Sequence, residues 1–327
     1  MVVRYMSRAK KSDDDFFNES IRFFCESGKD LATICPEIVD EYNDHSLLKL
    51  IAITYWVGFF SPIAHKKLRQ EYGYQVAYVD TMAGSGVTKT RRAGDCFCGS
   101  CTGAILKAIN KGYPFDKVIA VEIDQDKATS LESRLRKIDP NLPIYLYNKN
   151  LFEASSSIIA DLKDDCISYI VIDPEGFKGM SWSSIGPLLK CKGDAIITWF
   201  ENEIWRMKSA ALSSGKNADA IAERLTELLG SDIWKDATES SDITDAFINR
   251  VIEETEKQCA ESIDIDDVER KHYKMILFAG KFPNARKLAK KWKDNMERRL
   301  GSDQGRNISK LLDVYCGRNT DLSRFMS

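Results

Sequence analysis

The sequence predicts an α/β protein with a mostly parallel, doubly wound sheet of seven strands, and three observations lead to this prediction. Between residues 75 and 200, short apolar runs alternate with helical segments, as in strands joined by crossover helices. The first run ends in a glycine turn, 80–86, where the backbone can approach a ligand closely. The second and fourth runs end at acidic residues, Glu122 and Asp173, and parallel sheets gather ligand-binding groups at the carboxyl ends of their strands.

The elements follow from these patterns in chain order. Two helices, 13–28 and 45–71, come before the first strand. The central part then contains strands 75–80, 117–123, 144–148, 167–172 and 194–199, joined by helices 102–111, 125–137, 153–163 and 181–189. After residue 200 the chain becomes polar and helical, with 13 acidic and three basic residues between Asp232 and Glu269. A strand at 273–279, expected as an antiparallel edge, and a basic helix at 284–300 complete the series.

These elements divide the chain into four parts. We expect an N-terminal helical segment at 1–74 and a Rossmann-like cofactor-binding core at 75–200. A helical insertion follows at 201–270, and 271–327 holds the last strand of the core and the basic helix.

The composition is that of an ordinary soluble protein. The chain has 327 residues and a formal net charge of −2, which is long enough for a proper buried core. Its longest apolar stretch, 47–60, is interrupted by Lys49 and is shorter than the roughly 18 residues of a membrane helix, so we expect a buried helix there. A secretion signal is not indicated, and nine cysteines, an odd number, argue for reduced thiols. We expect a cytoplasmic protein with no membrane contact.

The turn after the first strand indicates the cofactor. Asp80, Ala83, Gly84 and Gly86 fit the pattern of two hydrophobic residues, Asp, three variable residues and Gly-x-Gly, which is motif I of methyltransferases that use S-adenosylmethionine. The preceding strand makes the match credible, although a turn without a ligand is the alternative. A dinucleotide site needs a third glycine, and that position is Lys89. The sequence therefore predicts a Rossmann-like methyltransferase fold that binds S-adenosylmethionine.

Two further residues are expected to bind this cofactor. Glu122 ends the second strand, where an acidic side chain binds ribose hydroxyl groups; a strand-terminal acid that only faces solvent is the alternative. Asn150 follows the third strand, and its amide is placed to hydrogen-bond the adenine edge.

The candidate catalytic residues follow the fourth strand. Asp173 and Pro174 resemble the opening of the Asp/Asn-Pro-Pro-Tyr tetrapeptide of amino-methyltransferases, whose side chain and carbonyl accept hydrogen bonds from the target amine. Glu175 departs from this pattern and is a candidate general base or substrate-orienting group. The aromatic residue of the tetrapeptide is missing, so Phe177 or Trp182 is expected to supply the ring that stacks on the substrate. The alternative is a purely structural role, in which the Asp-Pro pair only caps a turn.

Three cysteines, Cys96, Cys98 and Cys101, lie in the loop that should fold over the cofactor site. Thiolates at this spacing can bind zinc or an iron-sulfur cluster if a fourth ligand joins them. The candidate fourth ligands are Cys166, Cys191 and Asp95. The alternatives are free thiols and a redox-sensitive loop, in which the N-terminus of the following helix would lower the thiol pKa.

Taken together, these residues resemble the three-Cys-motif partner protein (TcmP) family over most of the chain. The matching features are helix 45–71, the turn from Tyr78 to Gly86, Thr102-Gly103-Ala104, Glu122, Asp173-Pro174-x-Gly176 with Trp182 and Ile185, strand 194–199 with Asn202 and Arg206, and strand 275–279. The resemblance implies a Rossmann-like methyltransferase fold, S-adenosylmethionine binding and a partner protein with a cysteine motif. It leaves the methyl acceptor open, and the three cysteines of this chain are not a hallmark of the family.

The C-terminal part indicates nucleic acid as one candidate partner. The helix around 285–293 is basic on more than one face and carries Trp292, which could stack on a base. Asn202 and Arg206, just past the fifth strand, are expected to line the substrate cleft. We therefore predict a methyltransferase that uses S-adenosylmethionine, with nucleic acid as a candidate substrate. The alternatives are a cofactor-binding partner protein without transfer activity and a metal-binding or redox-sensing protein associated with nucleic acid.

Overall fold

The chain forms a seven-stranded sheet and a separate three-stranded sheet. The computed structural model describes residues 13–43, 46–91, 94–174, 176–177, 179–266, 272–300 and 312. The helices are α1 (Asp13–Ala32), α2 (Ser46–Ile63), α3 (Gln70–Tyr72), α4 (Ser100–Asn110), α5 (Gln125–Ile138), α6 (Leu151–Leu162), α7 (Trp182–Leu189), α8 (Glu201–Ala211), α9 (Ala218–Leu229), α10 (Ser240–Glu254) and α11 (Ala285–Leu300), and a π-helical segment, Ala64–Arg69, joins α2 to α3. The strands are β1 (Asp40–Tyr42), β2 (Gln75–Asp80), β3 (Val87–Thr90), β4 (Cys96–Cys98), β5 (Lys117–Val121), β6 (Ile144–Tyr147), β7 (Cys166–Ile172), β8 (Gly193–Trp199), β9 (Lys257–Asp266) and β10 (His272–Gly280).

The large sheet has the strand order β6-β5-β2-β7-β8-β10-β9. The first five of these strands are parallel, β10 runs antiparallel to β8, and β9 runs antiparallel to β10. From β2 the chain first adds strands on one side and then crosses to β7 on the other side. Such a reversal of strand order opens a crevice at the carboxyl ends of the two strands. The predicted seven-stranded, mostly parallel sheet is confirmed.

Helices cover both faces of this sheet. Alternate residues of β2 enter different cores: Val76 and Tyr78 pack with helices α1, α2, α4, α5 and α11, whereas Ala77 and Val79 pack with α6 to α10. Because both faces are buried, the parallel strands are apolar throughout rather than alternating. This is why they were recognisable as short apolar runs.

Helix α2 is a core helix of this assembly. The segment Ser46–Tyr72 is long and apolar enough to cross a membrane by composition, but 67% of its most apolar window is buried inside the protein. The indole nitrogen of Trp56 donates a hydrogen bond of 2.8 Å to Asp194 on β8, which fixes the helix against the sheet. The predicted buried helix is confirmed.

Strand β9 differs from the prediction, because it lies inside the segment 201–270 that was expected to be helical. It is the edge strand, and β10, expected at the edge, lies between β8 and β9. Ile263 and Ile265 are buried on one face of β9 and Asp264 is exposed. A strand with one buried face has an alternating pattern with few apolar residues. The surrounding acidic residues made this pattern hard to recognise in the sequence.

The three-stranded sheet was not predicted either. Strand β3 pairs with β1 in parallel and with β4 antiparallel. Its three strands have three or four residues each, too short for a clear period in the sequence. The consequence is that β1, from the N-terminal segment, lies next to the glycine turn that precedes β3.

A buried arginine fixes this N-terminal segment to the core. Arg134 of α5 is fully buried, and its guanidinium donates to the carbonyl oxygen of Ser85 in the glycine turn at 2.7 Å. It also donates to four carbonyl oxygens in the last turn of α1 and the segment from there to β1, those of Leu31, Ile34, Cys35 and Ile38. One side chain therefore joins the turn before β1 to the turn after β2.

Candidate functional site

A cavity of about 500 Å³ lies at the carboxyl ends of β2, β5 and β7. This volume is within the range of small-molecule sites. Its walls are formed by Tyr42, Thr81, Met82, Gly84, Val121, Glu122, Ile123, Asp124, Lys127, Lys149, Asn150, Leu151, Asp173 and Gly179. The cavity therefore contains Gly84, Glu122, Asn150 and Asp173 of the residues that the sequence singled out.

The two glycines of the turn serve different purposes. Gly84 has a φ of +61° and lines the cavity, and a Cβ atom there would lie 2.5 Å from an Asp40 carboxylate oxygen. Gly86 has a φ of +83°, and a Cβ atom there would lie 2.8 Å from Leu131 and 2.9 Å from Thr102. Gly84 thus allows a carboxylate to approach the turn, whereas Gly86 allows α4 and α5 to pack against it.

Two carboxylates hold the backbone N–H groups of the turn. The N–H of Gly84 donates to Glu122 at 2.9 Å, and the N–H of Ser85 donates to Asp40 at 2.7 Å. Glu122 also accepts from the N–H of Asp124 at 2.9 Å, and burial raises its pKa. The second oxygen of Asp40 lies 2.8 Å from the ammonium of Lys127. Sequence reasoning found Glu122 but missed Asp40, which comes from outside the core.

Asp80 lies beneath the cavity and is fully buried. Its carboxylate accepts hydrogen bonds from the hydroxyl groups of Ser100 at 2.6 Å and Tyr78 at 3.2 Å. Burial raises the pKa of Asp80 to about 6, and the charge of Asp173 contributes. Asp80 therefore supports the glycine turn from its buried side, and Ser100 lies between Asp80 and a second, smaller recess. Ala83 and Ser100 line this recess, which has a volume of about 50 Å³.

Asp173 borders both the large cavity and the small recess. Its two carboxylate oxygens accept hydrogen bonds from the Lys49 ammonium at 2.8 and 2.9 Å, and each side chain is only 16% exposed. Sequence reasoning treated Lys49 only as an interruption of an apolar stretch. A single charge inside an apolar helix was the signal that could have identified it.

The residues after Asp173 can be placed in part. Pro174 is buried, and Gly176 adopts a φ of +75° close to Glu203. Glu175 lies outside the described residues, so its role as a general base stays a prediction.

Asn150 and Asn148 have separate roles. The side-chain oxygen of Asn150 caps α6 by accepting from the N–H of Glu153 at 3.0 Å, while the residue also lines the cavity. Asn148 donates to the carbonyl oxygens of Glu122 and Ile123, both at 2.9 Å. With its oxygen engaged in the cap, Asn150 can offer its amide NH₂ group to a ligand.

The predicted substrate-binding side chains do not gather in this cavity. Phe177 is buried and makes edge contacts with Trp199 and Phe200, with ring centroids 6.1 and 5.5 Å apart. This core position does not fit a stacking role. Trp182 lines a different cavity of about 480 Å³ with Phe152, Met180 and others, and the Arg250 guanidinium lies 4.2 Å over its ring.

Asn202 and Arg206, the other two predicted substrate residues, lie on α8 and are exposed. Neither lines the 500 Å³ cavity or the small recess. Their substrate contacts stay a prediction.

The three cysteines of the loop are free thiols, one half-buried and two buried, rather than an assembled metal site. Cys98 and Cys101 are fully buried, and burial raises the pKa of both thiols and of the half-buried Cys96. The expected lowering by the helix N-terminus is therefore wrong, because desolvation dominates. Cys98 and Cys101 both pack in the hydrophobic core that also contains Cys25. Across the described part of the chain, no three His, Cys, Asp or Glu side chains converge on a metal position, so the predicted zinc or iron-sulfur site finds no support.

Trp292 also differs from the prediction. Its side chain is fully buried, its ring meets that of Trp56 edge to face at 6.5 Å, and its indole N–H donates to the carbonyl of Ala52 at 3.3 Å. It cannot stack on a base without leaving the core. The exposed cations of α11 are Arg286, Lys287, Lys290, Lys291 and Arg298.

Comparison with known proteins adds little beyond the fold. No protein-family model and no curated protein matches the sequence. Among solved structures, magnesium protoporphyrin IX methyltransferase from Synechocystis PCC 6803 with bound SAH is 10% identical, has a TM-score of 0.40, and the match covers 73% of this chain and 85% of that one. An O-methyltransferase from Bacillus cereus in complex with SAH is 12% identical, with a TM-score of 0.39 and coverage of 85% and 94%. Similarity at this level carries no conclusion about the ligand of this chain.

The strand order and the glycine turn at its reversal point define the class of protein. The chain has the Rossmann-like methyltransferase fold that the sequence predicts, with the 500 Å³ cavity at the carboxyl ends of the central parallel strands.

Proposed function

We propose that the protein is a methyltransferase that uses S-adenosylmethionine. The observation that carries this proposal is the occupation of two N–H groups of the glycine turn by the carboxylates of Glu122 and Asp40. In dinucleotide-binding proteins, the corresponding turn and helix N-terminus bind a pyrophosphate. Here the protein itself supplies the anions. A phosphate would have to displace them and would meet the added charges of Asp80 and Asp173.

A cationic ligand suits this surrounding better. S-adenosylmethionine carries a sulfonium and an ammonium group against one carboxylate, and when bound it supplies an activated methyl group. Glu122 can accept hydrogen bonds from ribose hydroxyls, because each carboxylate oxygen has more than one lone pair. The amide of Asn150 would meet the adenine edge, and Ile123, 68% exposed at the rim, offers an apolar surface for the ring.

The side of the small recess that lies beside the glycine turn is placed to contact the amino-acid part of this cofactor. Asp40 and Ser100 line the recess beside Ala83 and Gly84. The Ser100 hydroxyl donates to the buried Asp80 carboxylate in a 2.6 Å hydrogen bond, which makes the hydroxyl oxygen a better acceptor. A carboxylate and a hydroxyl in this arrangement favour an ammonium group.

Calorimetric titration tests the cofactor. We expect the protein to bind S-adenosylmethionine and not NAD. In Gly84→Ala the new Cβ would lie 2.5 Å from Asp40 at a φ of +61°, so we expect at least a tenfold loss of affinity, about 1.4 kcal/mol. Gly112→Ala is the matched control, since Gly112 also has a positive φ but would have nothing within 4 Å of its Cβ. Binding of NAD, or equal affinities of the two variants, would contradict the assignment.

Nucleic acid is the candidate acceptor supported by the basic helix α11. Labelled methyl transfer into separated RNA, DNA, protein and metabolite fractions tests it. Label in RNA or DNA supports a nucleic-acid substrate, and label in another fraction replaces it.

A second candidate is a cofactor-binding partner protein without transfer activity, as the TcmP resemblance suggests. It is supported by the departure from the amino-methyltransferase tetrapeptide after Pro174. Binding of S-adenosylmethionine without label in any of the four fractions would favour this candidate. A redox-sensing role receives less support, because burial raises the pKa of Cys96, Cys98 and Cys101 and so lowers their reactivity.

A further inference from the structure

We infer that the methyl acceptor is a hydroxyl group of an alcohol or a phenol. Asp173 removes its proton, and Lys49 stabilises the oxyanion that forms. The inference rests on the proposed function, since it takes S-adenosylmethionine as the methyl donor. It starts from the ion pair in which the Lys49 ammonium contacts both oxygens of Asp173.

Lys49 stands where the fold gains little from a lysine. It is the one charged residue in the apolar stretch 47–60, and it lies in the first turns of α2, which begins at Ser46. The helix dipole disfavours a cation near this end. The pair is 16% exposed on each side, and a buried ion pair seldom stabilises a fold more than apolar residues of the same volume. Departures from such local rules are expected at functional sites.

The pair lies where two spaces meet. Asp173 borders the 500 Å³ cavity and the small recess, and Lys49 lines the recess. The charged and titratable groups around the pair are Asp40, Asp80, Tyr42 and Tyr273, whose ring centroid is 5.8 Å from the Lys49 ammonium. An acceptor that reaches Asp173 from the cavity therefore meets a carboxylate and an ammonium together.

This combination favours oxygen over nitrogen as the acceptor atom. An acceptor of either kind can donate its proton to Asp173, since each carboxylate oxygen keeps a lone pair besides the one that accepts from Lys49, so the charge formed on the acceptor atom decides between them. Methylation of an amine places positive charge on nitrogen, which the neighbouring ammonium opposes. A hydroxyl group develops negative charge as it loses its proton, and the ammonium stabilises that charge.

The chemical step balances with the groups at hand. The acceptor oxygen attacks the methyl carbon, the O–C bond forms, and the S–C bond breaks with its electron pair staying on sulfur. The hydroxyl proton passes to Asp173, while Lys49 keeps its own proton. The products are a methyl ether, a neutral thioether and a protonated carboxyl group that returns its proton to solvent.

The ionisation of a bound phenol tests the role of Lys49 without turnover. Para-nitrophenol absorbs differently as the phenolate, so its pKa can be read in a complex with the protein and S-adenosylhomocysteine. We expect a pKa about one to three pH units lower in the wild type than in Lys49→Met, because an adjacent opposite charge shifts a pKa by this amount. Lys49→Arg should retain the effect. Absence of binding, or equal pKa values in wild type and Lys49→Met, would overturn the inference.

Cofactor titration separates this inference from the proposed function. Lys49→Met should bind S-adenosylmethionine within about threefold of the wild type, and a larger loss would assign Lys49 to the cofactor instead. Failure of the wild type to bind it would remove the proposed function itself.

Labelled products then identify the source of the hydroxyl group. RNA and DNA of the same sequence are compared, because only RNA carries the ribose 2′-hydroxyl group. Small phenols serve as model acceptors for a metabolite. Label recovered as an O-methyl group supports the inference, and an N-methyl base overturns it.

Discussion

At the scale of single residues, the buried carboxyl group of Asp80, beneath the glycine turn, makes the stability of the protein depend on pH. Burial is the main cause that raises its pKa from 3.8 to about 6, and hydrogen bonds from Ser100, Met82 and Tyr78 lower it in part. The folded protein therefore binds this proton more tightly than the unfolded chain. The stability that follows is fully present below about pH 4 and is lost as the pH rises from about 4 to about 6.

Replacing Asp80 by Asn removes this pH-dependent cost. We expect Asp80→Asn to be more stable than the wild type at pH 7 by up to about 3 kcal/mol, since one pKa unit corresponds to about 1.4 kcal/mol. The gain should vanish near pH 3.5, where both proteins are neutral at this position. The other titratable groups that interact electrostatically with Asp80 are Tyr78, Cys101, Tyr169 and Asp173.

Urea unfolding at the two pH values measures this difference. Asp219→Asn on the exposed surface of α9 is the control, with an expected change within about 0.5 kcal/mol. A stability difference that is the same at both pH values would show that Asp80 does not titrate as described.

The site could be predicted from the sequence where its residues follow strands. Gly84, Glu122 and Asp173 were found because the carboxyl ends of parallel strands meet at one edge. Asp40 and Lys49 were missed because each comes from the N-terminal segment, and only tertiary packing brings it to the turn. Phe177 and Trp292 were misjudged for a related reason, since an aromatic residue in a motif cannot be distinguished from a core residue without its neighbours.

At the scale of elements, the site depends on how the segment between α1 and β1 is attached. Arg134 donates five hydrogen bonds to carbonyl oxygens that join this segment to the glycine turn. In Arg134→Met these buried acceptors lose their donor, and each unsatisfied group costs about 1 to 3 kcal/mol. We expect a loss of at least about 3 kcal/mol in the free energy of unfolding, together with weaker cofactor binding because Asp40 is no longer held.

Denaturant unfolding and calorimetry measure the two effects. Arg136→Met is the matched control on the same helix, because Arg136 is partly exposed and donates to the carbonyls of Pro140 and Leu142 instead. Its stability should change by less than about 1 kcal/mol. Equal losses in the two variants would remove the special role of Arg134.

The elements that the sequence predicted well are those buried on two faces. The parallel strands and α2 appear in the sequence as uninterrupted or nearly uninterrupted apolar runs, whereas β1, β3 and β4 are too short to show a period. The edge strand β9 was mistaken for helix because only one of its faces is buried, and its solvent-facing acidic residues resembled those of α10.

At the scale of the whole molecule, the two faces of the sheet differ in charge. On one face, α11 and the π-helical segment expose lysines that include Lys66, Lys67, Lys287 and Lys290. On the other face, α9 and α10 expose acidic residues. A nucleic acid would therefore be held by the first face and repelled by the second.

Charge reversal on α11 tests this preference. In the triple variant Lys287→Glu, Lys290→Glu and Lys291→Glu, we expect at least a tenfold loss of affinity for single-stranded RNA in a fluorescence anisotropy assay. The slope of log affinity against log salt should become shallower by about two, because each lost phosphate contact removes roughly 0.7. Asp219→Asn with Glu223→Gln on α9 is the control. Affinity that is unchanged in the triple variant would exclude α11 as the contact surface.

The carboxylates on the glycine turn have a consequence for the order of events at the site. Because Glu122 and Asp40 already satisfy the N–H groups of Gly84 and Ser85, the backbone of the turn is held in place before any ligand arrives. Binding then requires little ordering of the backbone, so its entropy loss is small and complementarity adds directly to affinity. Association should therefore be a single step, and the observed rate constant of binding should rise linearly with ligand concentration.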